Sequence, residues 1–468
     1  MRVKEELKLS GYFWLPGRIN NKIPGTLFIS DGGEIVLDIV GSFDESIDGF
    51  KNMFTGDAKL ERINGHVEKF GLVTLDGCIY KNRNISFSGI SKSSVYVSSA
   101  LLEVSYDEDE KIMINAFQFS IEGLDEWVGI SGIKVDYSQG VKEMSITYEL
   151  PEKIQLNLAN DITLSIVFEP TYPGFPCIKD AKISQKVYFV IKSEQALPIE
   201  NFINIAFKIT TLLCFAIDRS VSIDNVLLTS ESLKRKYGED LERYVVMKYF
   251  WRSRPFSKNV PEINLHDMLF RFEQVYDKAE KIINNWLLAY DNIEPAMNLY
   301  FSAKVGDLKY LESRFLALVQ GIETYHRRII GGVLMNVDEF DVMKEELLEK
   351  CDAKYSDWLS AHLKYGNEMP LAKRINAVLL PYKDYFGNKK GCKKLVRDVV
   401  DTRNYLTHYD ESLRERYSKG KDLWDLILKL EAVFELQLLQ VLGFTINDIR
   451  AIVEKSSAFA YKINNKKA

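Results

Sequence analysis

The sequence predicts an α+β chain of several domains: a β-rich N-terminal half, folded as a sandwich or a barrel-like sheet, and an all-α helical bundle in the C-terminal half. Three observations predict it. Short apolar runs alternate with turn residues from the start to about Val190. Beyond Asp267 apolar residues recur at three- and four-residue steps. Between them "RSRPFSKNVPEINLHD", Arg252 to Asp267, carries two prolines and no periodicity, so the boundary is drawn there, giving residues 1–255 and 256–468.

The 468 residues exceed the size at which one hydrophobic core keeps growing. With 46% hydrophobic and 27% charged residues the chain is expected to fold and to stay in solution. Its net charge of -5, from 61 basic against 66 acidic side chains, supplies no global attraction to nucleic acid or to an anionic membrane. Any polyanion site is therefore local. Five scattered cysteines without paired spacing predict a reduced, cytoplasmic setting. The opening "MRVKEELKLSGYFW" lacks the apolar core of an export signal. "ITTLLCFAI", Ile209 to Ile217, is about half of what a bilayer requires and reads as a buried helix.

In chain order, "GTLFIS-DGG-EIVLDIVGSF" predicts a hairpin whose tight turn uses the positive φ of Gly32 and Gly33. Further strands are expected at "SVYVSSALLEVSY", "IMINAFQFSI", "EMSITYEL", "ITLSIVFEP" and "SQKVYFVIKS". "SYDEDEKIM", Ser105 to Met113, reads as a charged hairpin between two of them. After Pro198 a helix is expected, then strands at "SIDNVLLTS" and "RYVVMKYFW". Asp267 is placed as the cap of the first C-terminal helix. Leu308, Leu311, Phe315, Leu318, Ile322 and Tyr325 form one helical stripe, ended by Gly331 and Gly332. Asp422 to Gly443 repeats that arrangement with a terminal glycine.

Chemistry concentrates in "KKLVRDVVDTRNYLTHYD". Val396, Val399 and Val400 share a face, and at ~100° per residue Arg403 falls between the last two. A guanidinium in an apolar stripe requires a carboxylate, a phosphate or an open cleft. His408 lies five residues on, roughly 140° around an ideal helix. The two side chains meet only if the helix ends near Leu406 or if two copies of the segment face each other.

"RNYLTH" resembles the Arg-x(4-6)-His motif of HEPN domains, with Asn404 in the polar place after the arginine. The upstream "FLALVQGIETYHR" is similar to a helix of ApeA-like HEPN domains, and "GYFWLPGRINNKIPGTLF" resembles the opening of the ApeA N-terminal domain through its Trp-x-Pro and Pro-Gly-x-Leu elements. The resemblance implies an antiviral defence protein with a β-rich N-terminal domain and a C-terminal helical bundle acting as a metal-independent ribonuclease and homodimer. It leaves open a catalytically inactive HEPN bundle kept for dimerisation, with a β-rich domain that binds a ligand or protein partner.

The residue types suit RNA cleavage. His408 can act as general base or acid near neutral pH, since an unperturbed imidazole titrates at about 6.5. Arg403 can bind the phosphate through paired N–H groups and stabilise charge at phosphorus. Asn404 is expected to orient the histidine or to bond to a phosphate oxygen. Residues 381–421 hold eleven basic and six acidic side chains, 11 - 6 = +5, a basic island in an acidic chain. Within it Lys393, Lys394 and Arg397 are placed on the RNA backbone, and Tyr405 and Tyr409 on unpaired bases. Glu323 is a supporting candidate, with Glu323 and His326 alternatively an exposed pair near a helix end. The competing reading of Arg403 and His408 is an arginine paired with a helix carboxylate and a histidine capping a helix C-terminus.

The expected partners are RNA, tRNA among the candidates, a second copy of the chain, and a phage-derived trigger at the N-terminal domain. No cofactor, metal or membrane is expected, since the histidines and cysteines show no metal-ligand spacing.

Overall fold

The computed structural model describes residues 1–43, 59–84, 90–137, 144–237, 241–304 and 308–464. The chain divides into two compact units, Met1–Asn284 and Asn285–Ala468. The sequence-derived boundary at 255/256 lies about thirty residues earlier. Residues after Pro255 pack into the first unit: Trp127 Nε1 donates to the Phe270 carbonyl at 3.1 Å, and the Leu269 N–H donates to Ala216 at 2.9 Å.

The first unit is built on one twelve-stranded sheet. Strands β1 (Leu7–Trp14), β2 (Ile23–Ser30), β3 (Glu34–Val40), β4 (Lys59–Val67), β5 (Gly71–Asn84) and β6 (Lys92–Leu102) close into a six-stranded barrel, because β5 pairs with both β4 and β6. Alternate residues fill its interior, among them Leu9, Phe13, Leu27, Leu37, Val73, Leu75 and Val95, all at most 1% exposed. The predicted hairpin is β2–β3, paired from Ser30↔Glu34 to Gly25↔Ile39, with Gly32 and Gly33 at φ +90° and +73°. The Trp-x-Pro and Pro-Gly elements sit on β1 and β2, where Tyr12 pairs with Pro24 and Gly11 with Gly25.

The sheet continues past β6 through β7 (Met113–Ile121), β10 (Ile154–Asn157), β11 (Ile162–Thr171), β12 (Ser184–Pro198), β13 (Ile223–Thr229) and β16 (Met247–Trp251), in the order β6, β16, β13, β7, β12, β11, β10. Helix α1 (Leu124–Val128) follows β7. Two separate hairpins pair β8 (Ile133–Asp136) with β9 (Ser145–Tyr148) and β14 (Lys234–Tyr237) with β15 (Leu241–Tyr244). Ser105 to Met113 is not a hairpin. It links β6 to β7, which are not neighbours in the sheet, and Arg62 Nη1 holds it by bonds to the Asp107 and Glu110 carbonyls.

Helix α2 (Ile199–Ile217) is long and apolar enough to cross a bilayer, yet packs on β7 and β12 with Phe202, Ala206, Ile209, Leu213 and Ile217 buried. Phe117 stacks on Phe202 with ring centroids 6.4 Å apart.

The second unit is helical. Helix α3 (Ala279–Lys304) spans the division, so Asp267 does not cap it. Residues 268–278 carry two short 3-10 turns, and the Asp267 carboxylate pairs with Arg219 at 3.4 Å. The remaining helices are α4 (Leu311–Tyr325), α5 (Val337–Glu349), α6 (Ser356–Leu363), α7 (Leu371–Leu379), α8 (Asn388–His408), α9 (Gly420–Val441), α10 (Ile446–Val453) and α11 (Ser457–Asn464). Helix α9 is the hub, packing on α4, α7, α8, α10 and α11. Four residues of the predicted stripe, Phe315, Leu318, Ile322 and Tyr325, are buried on α4, whereas Leu308 precedes the helix and Leu311 is half-buried at its start. A π-turn over His326–Ile330 follows before Gly331 and Gly332 at positive φ.

Inside the bundle Glu435, fully buried, accepts from the Tyr300 hydroxyl at 3.0 Å, from Lys304 at 3.4 Å and from Lys462. Burial alone would raise its pKa. The two ammonium groups outweigh that and hold the carboxyl below its usual range. Lys462 thereby ties α11 to α9.

Candidate active site

Helix α8 carries every C-terminal candidate except Glu323 and Tyr409. It begins after Gly387, whose φ of +78° turns the chain in, and buries Cys392, Leu395, Val399 and Thr402. This seam differs from the predicted one. Val396, Val400 and Arg403 are half-buried and flank it, because α9 and α4 approach from the Leu395–Thr402 side. Arg403 therefore stands at the edge of the apolar stripe, with its guanidinium free to reach outward.

Arg403 Nη1 donates to Oδ1 of Asn404 at 3.1 Å. Among the described residues it forms no ion pair with a carboxylate, so the competing paired-arginine reading has no partner here. Asn404 thus positions the arginine and, among the described residues, makes no hydrogen bond to His408; of its two expected roles the phosphate contact stays open.

Helix α8 does not end near Leu406. It runs to His408 and stops because Tyr409 adopts the left-handed conformation at φ +51°, with its N–H donating to the Tyr405 carbonyl. Over an unbroken helix the five-residue step leaves Arg403 and His408 roughly 140° apart. Among the described residues no hydrogen bond joins the two side chains within one chain. His408 is exposed and has no hydrogen-bond partner among the described residues. Two residues on, Asp410 caps the next turn; the Ser412 hydroxyl and N–H hold its carboxyl below the usual range.

The same helical arithmetic puts Lys390, Lys393, Arg397, Asn404 and His408 within about 60° of one another on the outward face, a stripe spanning ~27 Å. At its N-terminal end Lys390, Lys393, Lys394 and Arg397 line a groove of about 510 Å³ with Gly387 and Gly391 and no acidic side chain. Arg397 lies 3.8 Å from Asp398, an exposed contact of little strength. The three basic candidates are therefore brought together; His408 is at the opposite end of the helix.

The two tyrosines differ in how far they are covered. Tyr417, which sequence reasoning did not single out, stacks on Tyr405 at 3.9 Å and 11°, covering one of its faces. Tyr409 meets Tyr405 edge-on at 5.7 Å and is 70% exposed. The loop that returns from α8 to α9 is fastened twice, by this stack and by the Ser418 N–H donating to the buried Thr402 hydroxyl at 2.9 Å.

Glu323, on α4, accepts from Arg327 at 3.0 Å, and Arg327 also pairs with Glu368 at 2.7 Å. Its charge is engaged there, and among the described residues no bond joins it to Arg403 or His408. His326 is not part of an exposed pair. It is 1% exposed, and its Nδ1 lies 3.0 Å from Nη1 of the buried Arg374, with Nε2 unpartnered. Burial, with Arg374 and Arg327 nearby, pushes the His326 pKa below its ordinary value.

A barrel-based β unit and a helical unit carrying an Arg-Asn-x-x-x-His helix end define a two-domain chain of the HEPN class. The family model described as ApeA N-terminal domain 1 matches residues 8–286, and that described as Apea-like HEPN matches residues 316–448. The chain belongs to the ApeA family, with the ApeA-type domain N-terminal and the HEPN domain C-terminal. No curated protein and no solved structure matches it.

Proposed function

We propose that this chain is a metal-independent HEPN endoribonuclease that acts in anti-phage defence by abortive infection. One observation carries the reading: a guanidinium held by Asn404 without a carboxylate partner among the described residues, on the same helix as an exposed histidine that makes no hydrogen bond among them, in a HEPN domain. The roughly 140° between Arg403 and His408 makes the working unit a homodimer, in which two copies of α8 face each other across a two-fold axis.

In such a cleft one His408 accepts the 2'-OH proton. The freed oxygen forms a bond to phosphorus while the bond from phosphorus to the 5' oxygen breaks. The leaving oxygen takes a proton from water and the imidazolium returns its own to solvent, so the products are a 2',3'-cyclic phosphate and a 5'-OH. Arg403 stabilises the charge accumulating on the phosphoryl oxygens. The Lys393, Lys394 and Arg397 groove holds the RNA backbone away from the cut, with tRNA among the candidate substrates. The exposed Tyr409 takes an unpaired base. The cytoplasm is the compartment, in keeping with five cysteines that form no disulfide among the described residues, and a phage-derived trigger acts at the ApeA-type domain.

The test is incubation of the purified chain with mixed RNA in EDTA. Wild type is expected to leave cyclic-phosphate ends and His408→Ala to leave none; equal cleavage by both removes the proposed site. A second reading, an inactive HEPN dimerisation bundle with a β-rich domain that binds a partner, is favoured by the separation of Arg403 from His408 within the chain. It predicts that toxicity on expression is unchanged by Arg403→Ala, whereas the nuclease predicts relief.

A further inference from the structure

A pocket of about 410 Å³ opens on the first unit between α2 and the end of β16, lined by Phe207, Thr210, Trp251, Arg252, Ser253 and Arg254 among others. We propose that it binds a free mononucleotide, the two guanidinia taking the phosphate and the aromatic wall taking the base.

The size lies in the range of small-molecule sites, ~300–1,000 Å³. Arg252 and Arg254 are exposed, and among the described residues neither has an ion-pair partner. Two guanidinia on one rim without a carboxylate repel each other, and a phosphate satisfies both through paired N–H donors. Between them Ser253 is 6% exposed, and its hydroxyl has no hydrogen-bond partner among the described residues. A buried hydroxyl is costly when unpaired, and a phosphate oxygen is an acceptor for it. Phe207 and Trp251 give the pocket an apolar aromatic side suited to a planar base rather than to a bare inorganic ion.

The backbone that presents these groups is held in place. Trp251 pairs with Ser99 in the sheet, and its carbonyl fits against Gly33, where an added Cβ would lie 2.0 Å away. Just beyond the arginines, Arg2 donates to the Ser257 carbonyl at 2.6 Å and stacks over Phe256 at 4.9 Å. Asp31 and Glu122 pair with Arg2, and Asp224, next to the lining Ile223, pairs with Lys186, so none of these three neutralises the rim.

The experiment titrates the full chain with AMP, adenosine and inorganic phosphate by calorimetry. AMP is expected to bind at least about tenfold more tightly than either fragment. Arg252→Gln combined with Arg254→Gln is expected to weaken AMP by about tenfold or more at unchanged Tm. Should the double variant lose Tm, Arg254→Gln alone provides the same comparison. AMP that binds no better than its fragments, or that is indifferent to the arginine substitutions, overturns the assignment. So does a 5'-phosphorylated tetranucleotide that binds more than about tenfold tighter than AMP, which would give the pocket to an RNA end.

Discussion

Arg403 donates to the side-chain oxygen of its own neighbour, Asn404, at 3.1 Å, and no carboxylate among the described residues neutralises it. An amide oxygen orients a guanidinium without cancelling its charge, so the field remains available to a phosphate. Arg403→Ala is expected to lower RNA cleavage by about 100-fold or more, on the scale of losing one charge-stabilising donor. Asn404→Ala should cost about tenfold, and little further in the Arg403→Ala background, because the amide acts through the arginine. Single-turnover cleavage rates of the three variants check this.

The turn of α8 between Arg403 and His408 makes a subunit-mixing experiment decisive. If the working site draws its arginine and histidine from different protomers, Arg403→Ala and His408→Ala chains, each inactive alone, recover activity when co-refolded. Half of the dimers are mixed and each keeps one of two sites, so roughly a quarter of wild-type activity is expected. No recovery would mean that both groups act from one chain.

The groove formed by Lys390, Lys393, Lys394 and Arg397 contains no acidic residue, so its contribution to RNA binding should be electrostatic. Replacing Lys393, Lys394 and Arg397 by glutamine should reduce the slope of log K against log salt by about 2, at ~0.7 per phosphate contact on single strands. An unchanged slope would place the RNA elsewhere.

Thr402 is fully buried and receives the Ser418 N–H, while Tyr417 stacks on Tyr405. Thr402→Val preserves shape but strands that N–H, at a cost of about 1–3 kcal/mol. Tyr417→Ala should cost about 0.5–1.5 kcal/mol beyond its lost burial. Urea unfolding measures both. Each should also slow RNA cleavage through misplacement of the loop beside His408.

The buried His326 gives the bundle a pH dependence of known sign. Folded, its pKa is depressed by burial and by the arginines nearby; unfolded, it titrates near its ordinary value of about 6.5. Between those values the unfolded state binds the extra proton. The stability contribution is therefore complete above about pH 6.5 and is lost as pH falls toward the folded value. His326→Gln, whose carbonyl can still accept from Arg374, should flatten the fall in Tm between about pH 7.5 and 5.5.

Much of this molecule was legible from local spacing. The β2–β3 hairpin was readable because Gly32 and Gly33 sit between two alternating runs, and α2, α4 and α9 because their apolar residues recur every three or four positions. The basic character of α8 and the types of side chain at its end were equally visible. Less visible was the true buried seam, Cys392, Leu395, Val399 and Thr402, since which side of a helix is covered depends on where α9 and α4 lie.

By itself the sequence determined a β-rich half followed by a helical half, the family to which both belong, and the residue types at the end of α8. Only the tertiary structure decided that β5 closes the sheet onto β6 as a barrel, that His326 is buried against Arg374, and that Tyr417 covers Tyr405. It also decided that Lys462 reaches Glu435 in the core. The physical reason is range. Periodicity and capping report on neighbours within a turn or a strand, whereas these pairings form only when distant segments return to one place, and no local pattern encodes that return.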